Sequence, residues 1–200
     1  MIHKMNKFIF LAINCIFLAT ACEDDDALTI LDDVSIVAQN DCMVGSISDL
    51  NAILCITDTK GNSKTSFEQN ENFIISLSFQ NNSGELVKIK EEYLANEGVL
   101  TVMGADNGQN FGKPYTSAAC QFDGNPFMEV PSGETYVVSS PWVLEEGVPI
   151  IGPICKSESN EYLDTGSYRV LVSLELVVEM GNETISVEGG NELSLDFDIM

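Results

Sequence analysis

The sequence is poor in basic residues and contains a single histidine. Nine lysines and arginines stand against 31 aspartates and glutamates, and the formal net charge is −22 at pH 7. A surface of that sign repels phosphate backbones, which argues against nucleic-acid binding. The histidine is His3 and the one arginine is Arg169. Ser-His-Asp and Cys-His catalytic arrangements therefore cannot be assembled in the body of the chain, and clamps for phosphate are scarce.

Several motifs that mark cofactor or metal sites are also missing. The chain has no G-x-x-x-x-G-K, no G-x-G-x-x-G placed between a strand and a helix, and no C-x-x-C. The oxygen-rich segment 106–112 departs from an EF-hand loop, because Gly108 replaces a ligand and no glutamate closes the loop. We therefore predict no cofactor, no metal and no catalysis. Acidic residues are so numerous that a glycosidase-like carboxylate pair stays an alternative.

The first 21 residues have the three parts of a secretory signal. Lys4 and Lys7 give a positive start, residues 8–21 are mostly apolar, and small residues precede Cys22. The apolar run is too short to span a bilayer. The stretch Leu18-Ala19-Thr20-Ala21-Cys22 resembles the lipobox of bacterial lipoproteins. That resemblance implies cleavage before Cys22, diacylation of its thiol, and a membrane partner reached through the lipid anchor.

Four acids follow Cys22 directly, at residues 23–26. Such a block repels itself and stays solvated, so we predict an acidic spacer over residues 22–40. A cysteine followed by acids resembles the surface-export signal of Bacteroidota-type lipoproteins, which implies the outer face of the outer membrane. The periplasmic face is the alternative. The leader holds two basic and no acidic residues, so 7 basic and 31 acidic residues leave a mature net charge of −24.

Four cysteines remain after the leader and the acylation site, and an even number in an exported chain favours two disulfides. They are Cys42, Cys55, Cys120 and Cys155. Three pairings are open from sequence. We favour the pairing of sequence neighbours, which joins the first two and the last two.

Apolar residues alternate with polar ones in most of the remaining chain, which is typical of half-buried strands. In segment 73–80, Phe73, Ile75 and Leu77 share one face. Gly and Asn turns separate such segments. The other predicted strands are 52–57, 86–90, 99–103, 135–140, 168–180, 184–188 and 192–199, with the last three forming a meander. Without a convincing amphipathic helix, this pattern predicts an all-β, antiparallel, immunoglobulin-like β-sandwich over residues 41–200.

The stretch Asp164-x-Gly166-x-Tyr168 precedes a strong strand and looks like the tyrosine corner of immunoglobulin-like folds. In antibody domains a cysteine stands where Val170 stands here, so that family's core disulfide is absent. The segments 130–136 and 163–168 are also similar in layout to intracellular proteinase inhibitor-like domains, over residues 66–178. This second resemblance implies a protease-inhibitor alternative.

Two long loops are predicted, at 104–126 and 143–163, and loops of that length are usually functional or cross-linked. A bond between Cys120 and Cys155 would join them. Aromatic residues in or near these loops are candidate contacts for a sugar or protein. The alternative is that they belong to the hydrophobic core. They are Phe111, Tyr115, Phe122, Phe127 and Trp142, of which Trp142, Tyr115 and Phe111 are the preferred ligand contacts.

Together these observations predict a lipid-anchored protein of the cell surface that acts by binding a glycan or protein partner. Protease inhibition would require one protruding rigid loop, such as the one that carries Cys155. Glycan hydrolysis would require two carboxylates that converge in a cleft.

Overall fold

The computed structural model describes residues 27–32, 34–115, 126–152, 159 and 161–200. These residues form one short 3-10 helix, Glu91–Ala95, and a series of strands. The strands are β1 (Ala27–Leu31), β2 (Ser35–Gln39), β3 (Cys42–Ile47), β4 (Leu50–Asp58), β5 (Ser66–Phe67), β6 (Phe73–Asn81), β7 (Val87–Lys90), β8 (Val99–Gly104), β9 (Asn110–Gly112), β10 (Phe127–Val130), β11 (Thr135–Pro141), β12 (Gly166–Ser173), β13 (Val177–Met180), β14 (Glu183–Val187) and β15 (Glu192–Ile199). None of the described segments forms a helix with the length and hydropathy needed to cross a membrane.

The strands form three sheets of five. Sheet I has the order β1-β14-β13-β7-β10, sheet II has β11-β6-β4-β3-β2, and sheet III has β5-β15-β12-β8-β9. Neighbouring strands are antiparallel except at two edges, where β1 joins β14 and β5 joins β15 in parallel. The predicted all-β sandwich is confirmed, with these two parallel pairs as a departure from a purely antiparallel arrangement.

One hydrophobic core joins all three sheets. Phe73, Ile75, Leu77 and Phe79 of β6 alternate with half-exposed residues, and none of the four is more than 1% exposed. Strand β15 packs on β3 and β4, and β10 packs on β6 and β11. Sheet II is therefore one layer, and sheets I and III cover its inner face. Each fully buried aliphatic or aromatic side chain of this size stabilises the fold by about 1.5–3 kcal/mol.

The predicted single strand 168–180 is wrong, because the chain changes sheet within it. β12 ends at Ser173 in sheet III, and β13 begins at Val177 in sheet I. In the crossing, the amides of Ser173 and Leu174 donate to the carbonyls of Gly98 and Asn191, at 2.8 Å each. Leu174 is buried in the crossing, so the alternation of apolar and polar residues continues through it. The sequence pattern therefore does not show where one strand ends and the next begins.

The predicted C-terminal meander is also wrong. β13 and β14 form a hairpin, with Gly181 at φ +59° in its turn. The next strand, β15, pairs with β12 and β5 instead of with β14. The consecutive strands β14 and β15 thus belong to two different sheets, I and III.

The predicted spacer over 22–40 contains two strands, so the folded part includes residues from 27 onward. β1 pairs with β14, and β2 pairs with β3. The Asn191 side chain holds the connection, because it accepts from the Val34 amide at 2.9 Å and donates to the Asp32 carbonyl at 3.2 Å. Asn40 and Asp41, which look like polar spacer residues, both have positive φ in the β2–β3 hairpin turn. Residues 22–26 lie outside the described part of the chain.

A disulfide joins Cys42 and Cys55, which confirms the first predicted pairing. The two residues face each other across the β3–β4 ladder, with their Cα atoms 4.5 Å apart. Cys120 and Cys155 lie outside the described residues. The second predicted pairing, of Cys120 with Cys155, therefore stays a prediction.

Candidate ligand groove at the tyrosine corner

Tyr168 occupies the position predicted for a tyrosine corner. Its hydroxyl donates a 2.8 Å hydrogen bond to the carbonyl of Asp164, four residues upstream. Its ring stacks on Phe197 with centroids 5.5 Å apart and meets Phe111 edge-on at 5.2 Å. Burial, with a contribution from the Asp164 charge, raises the pKa of Tyr168, so the hydroxyl stays protonated as a donor.

Gly166 lies between the two residues that the corner hydrogen bond joins. Its φ lies outside the left-handed region. A Cβ at this position would meet the Tyr168 ring at 3.6 Å, which is an ordinary contact. Neither the backbone conformation nor the space at this position therefore requires glycine.

Trp142 holds the same loop from the other side. Its indole Nε1 donates to the carbonyl of Glu161 at 3.0 Å, and its ring stacks on Phe73 with centroids 5.7 Å apart. The residue is 2% exposed. The condition for a ligand contact, an exposed ring, is therefore not met, and Trp142 is a core residue that fixes the loop backbone.

Residues 161–164 are thus held at both ends. Leu163, between the two bonded carbonyls, is 7% exposed and packs into the core. Glu161, Tyr162 and Asp164 point outward. A loop with its backbone fixed in this way presents its outward side chains in a defined arrangement, as a binding site requires.

A groove of about 350 Å³ lies along this loop. It is lined by Phe111, Trp142, Ser159, Glu161, Tyr162, Leu163 and Asp164. Tyr162 is 42% exposed and forms an aromatic wall, while Phe111 is half-buried. A smaller depression of about 170 Å³ shares Phe111 and continues past Tyr168 to Asp106 and Asn107.

The Ser159 hydroxyl is the one buried side-chain polar atom that finds no hydrogen-bond partner among the described residues. The residue is 4% exposed and lines the groove. Buried polar groups are paired in the large majority of cases, and leaving one without a partner costs about 1–3 kcal/mol. A ligand hydroxyl in the groove would supply the missing partner.

The described side chains that line the groove include acidic residues. Among the described residues that line it, none is lysine or arginine, whereas Glu161 and Asp164 are exposed carboxylates. Anionic ligands are therefore repelled. Neutral ligands with hydroxyl donors fit the carboxylate and serine oxygens.

The loop from Asp106 to Gly112 has its amide oxygens engaged in turns. Asn107 Oδ1 accepts from the Gln109 amide at 2.9 Å, and Asn110 Oδ1 accepts from the Gly112 amide at 2.7 Å. No three metal-binding side chains come together anywhere in the described ranges. The segment consists of the turn that follows β8 and of strand β9.

The groove brings together some of the predicted contacts and separates others. Phe111 and Trp142 line it, as do residues of the predicted corner. Tyr115 does not line it; its amide donates to the Pro141 carbonyl at 2.9 Å. Phe127 is on β10 in sheet I, with Lys88 Nζ 5.8 Å from its ring centroid. Phe122 lies outside the described residues.

Sequence analysis missed Tyr162 and Ser159 as site residues. The signal available was the position of Tyr162, an aromatic residue that follows a polar stretch and precedes the Asp164-x-Gly166-x-Tyr168 motif by two residues. Nothing in the sequence distinguishes Ser159 from Ser157, the other serine of that loop.

No protein-family model and no curated protein matches the chain. Among solved structures, the chain is similar to the ASH / PapD-like domain of human CEP192 (PapD-like domain 7). The two are 13% identical with a TM-score of 0.31, over 85% of this chain and 94% of that one. The class of protein is therefore defined by the strand topology described above, an all-β sandwich with a tyrosine corner.

Proposed function

We propose that this protein is a lipid-anchored protein of the outer cell surface that binds a neutral, hydroxyl-rich ligand of the glycan class. The observation that carries the binding role is the groove along residues 161–164. Trp142 and Tyr168 fix its backbone from two sides, and the Ser159 hydroxyl at its floor has no partner in the described part of the chain. A site whose geometry exists before binding loses less entropy when a ligand arrives.

The groove offers the two kinds of contact that a sugar ring needs. The exposed Tyr162 ring provides an apolar face for the C–H side of a pyranose. Glu161, Asp164 and Ser159 provide oxygens for its hydroxyl groups. Few precisely placed polar groups beside an aromatic wall are typical of small-molecule sites.

The lipid anchor is supported by the lipobox ending at Cys22 and by the acids at residues 23–26. A mature net charge of −24 opposes contact with anionic lipid head groups, so the acyl chains would supply the attachment to the membrane. The acidic block then separates the sandwich from the bilayer surface.

Binding without catalysis agrees with the exposure of the groove carboxylates. A glycosidase acid is held in an apolar environment that keeps it protonated. Glu161 and Asp164 are both exposed to solvent. The inhibitor alternative depends on the loop around Cys155, which lies outside the described residues and stays a prediction.

The anchor is tested by comparing the wild type with Cys22→Ala in cell fractions and on intact cells. We expect the wild type in the outer-membrane fraction and degraded when intact cells are treated with a protease. Cys22→Ala should leave that fraction. Retention of Cys22→Ala in the membrane would contradict the anchor, and protection of the wild type would contradict the outer face.

The groove is tested by applying the purified protein to an array of neutral oligosaccharides. We expect binding that Tyr162→Ala reduces at least tenfold, because the aromatic wall is lost. Leu86→Ala removes a comparably exposed side chain outside the groove and serves as the control. No binding to any neutral glycan, or equal loss in both variants, would contradict the proposal.

A further inference from the structure

The strand positions on the outward face of sheet II are uncharged among the described residues, although the whole chain has a net charge of −22. The strand sequences of β2, β3, β4, β6 and β11 contain a single charged residue, Asp58. Asp58 ends β4 opposite Phe73, so it belongs to the set of positions that faces the core. Every outward position of these five strands is therefore neutral.

The ladder registers place these outward residues in straight rows. Val37, Val44, Ile53, Ser78 and Val137 are successive partners across the five strands, and four of these five residues are apolar, so we call them the apolar row. Val44 is buried, and Ile53, Ser78 and Val137 are half-buried. Val37 is 50% exposed at one edge of this row. The neighbouring row consists of hydroxyl and amide side chains, from Ser35 on β2 to Thr135 on β11.

The outward faces of the other two sheets carry charges. The equivalent row of sheet I passes through Glu179, Lys88 and Glu129. On sheet III, Arg169 and Asp196 form an ion pair whose side chains are 43% and 63% exposed. The absence of charge is thus a property of sheet II among the described strands, and it does not follow from the overall composition.

We propose that the uncharged face of sheet II is the docking surface for a second copy of this chain. Two copies of so acidic a protein place like charges opposite each other on the other sheet faces, at about 1 kcal/mol per exposed pair at 4 Å. The uncharged face avoids this repulsion. It is also self-complementary, because Ser, Thr, Asn and Gln side chains each donate and accept, so like residues can pair across a two-fold axis.

The size of the face agrees with a stable dimer. Five strands at about 4.8 Å spacing, with about seven residues each at about 3.4 Å, cover roughly 550 Å². Two copies would bury about 1,100 Å², just above the roughly 1,000 Å² that a specific interface needs. Two sheets can pack face to face in this way, with their strand directions rotated by about 30° and the sheets about 10 Å apart.

The test is the mass of the full chain in a mild non-ionic detergent at 0.15 M salt, measured by light scattering during gel filtration. We expect a protein mass of two chains for the wild type. Ser78→Asp places a charge at the centre of the apolar row and should give the mass of one chain. Thr184→Asp adds the same charge to the outward face of sheet I and should remain a dimer.

The two variants separate the proposal from its alternatives. Two copies that only share a micelle would stay together in Ser78→Asp as well, and that result would overturn the proposal. A wild type with the mass of one chain at about 100 µM would also overturn it, whatever the variants do. Circular dichroism of Ser78→Asp confirms that the monomer is folded, and a Val137→Lys variant repeats the test at another position of the row.

Discussion

Two single hydrogen bonds, from Tyr168 and Trp142, define the loop that forms the groove. Both donors are aromatic residues that belong to the core, and both acceptors are backbone carbonyls, of Asp164 and Glu161. The rings connect through Phe73 and Phe197 into one aromatic cluster, with centroids 5.0 Å apart for that pair. The position of the groove is therefore determined by the packing of the core and depends little on the surface.

Tyr168→Phe tests the corner, because it removes the hydroxyl and keeps the ring contacts with Phe111 and Phe197. The Asp164 carbonyl loses its hydrogen-bond donor, so we expect the free energy of unfolding to fall by about 1–2 kcal/mol. Chemical denaturation followed by circular dichroism measures this. Tyr162→Phe is the matched control and should change stability by less than about 0.5 kcal/mol, since Tyr162 is exposed. Equal effects of the two substitutions would show that the corner bond contributes nothing.

The Lys64–Glu71 pair gives a pH-dependent prediction. Glu71 accepts from Lys64 Nζ at 2.6 Å, and this hydrogen bond lowers the pKa of Glu71 below its ordinary value of 4.5. The ionised Glu71 carboxylate therefore stabilises the folded state. This contribution is fully present above pH 4.5 and disappears as the pH falls through the lowered pKa of the folded state. Both side chains are about one-third exposed, so the contribution is at most about 1 kcal/mol.

Glu71→Gln should therefore be less stable than the wild type at pH 7 and equally stable near pH 2. Denaturation midpoints at a series of pH values measure the difference. Glu97→Gln, at an exposed turn, is the control and should match the wild type at pH 7 within about 0.5 kcal/mol. A difference between wild type and Glu71→Gln that persists at low pH would contradict an electrostatic cause.

For single residues, the sequence predicted the roles that depend on neighbours in the chain. The Asp164-x-Gly166-x-Tyr168 spacing is local, and so it identified the corner. Whether Trp142 is a surface contact or a core residue depends on Phe73 and Glu161, which are distant in sequence. Whether the Ser159 hydroxyl finds a partner among the described residues depends on everything around it in space, and no pattern of sequence neighbours shows it.

At the scale of elements, alternation predicted most strands but not their partners. The period of two is a property of one strand, whereas pairing depends on residues far along the chain. Gly45 illustrates the difference: a Cβ there would lie 2.7 Å from Leu174 Cδ1 and 3.1 Å from Leu193 Cδ2. These leucines come from the β12–β13 crossing and from β15, so Gly45 accommodates a contact that only the folded arrangement creates.

The β3–β4 disulfide yields a prediction at the same scale. Cys42 and Cys55 are 13 residues apart, and closing a loop of about this length in the unfolded chain contributes about 3 kcal/mol in the loop-entropy model. The double substitution Cys42→Ser/Cys55→Ser should therefore lower the free energy of unfolding by about 2–3 kcal/mol, as measured in guanidinium. A reductant should lower the denaturation midpoint of the wild type but leave that of the double variant unchanged. An unchanged denaturation midpoint would contradict a stabilising contribution from the disulfide.

At the scale of the molecule, the distribution of charge separates three surfaces. The groove is acidic and aromatic, the outward face of sheet II is neutral, and the outward faces of sheets I and III are charged. An acidic surface favours solubility and leaves the neutral face as the place where a like-charged copy can approach.

Trp142 is the only tryptophan of the chain, and it lines the groove. Its fluorescence therefore reports directly on the site that the proposed function depends on. The most direct measurement is a titration of the purified protein with neutral oligosaccharides while this fluorescence is recorded. We predict a saturable change that Tyr162→Ala abolishes and Leu86→Ala preserves. A signal that stays constant for every neutral sugar, or that survives Tyr162→Ala unchanged, would contradict the groove as the binding site.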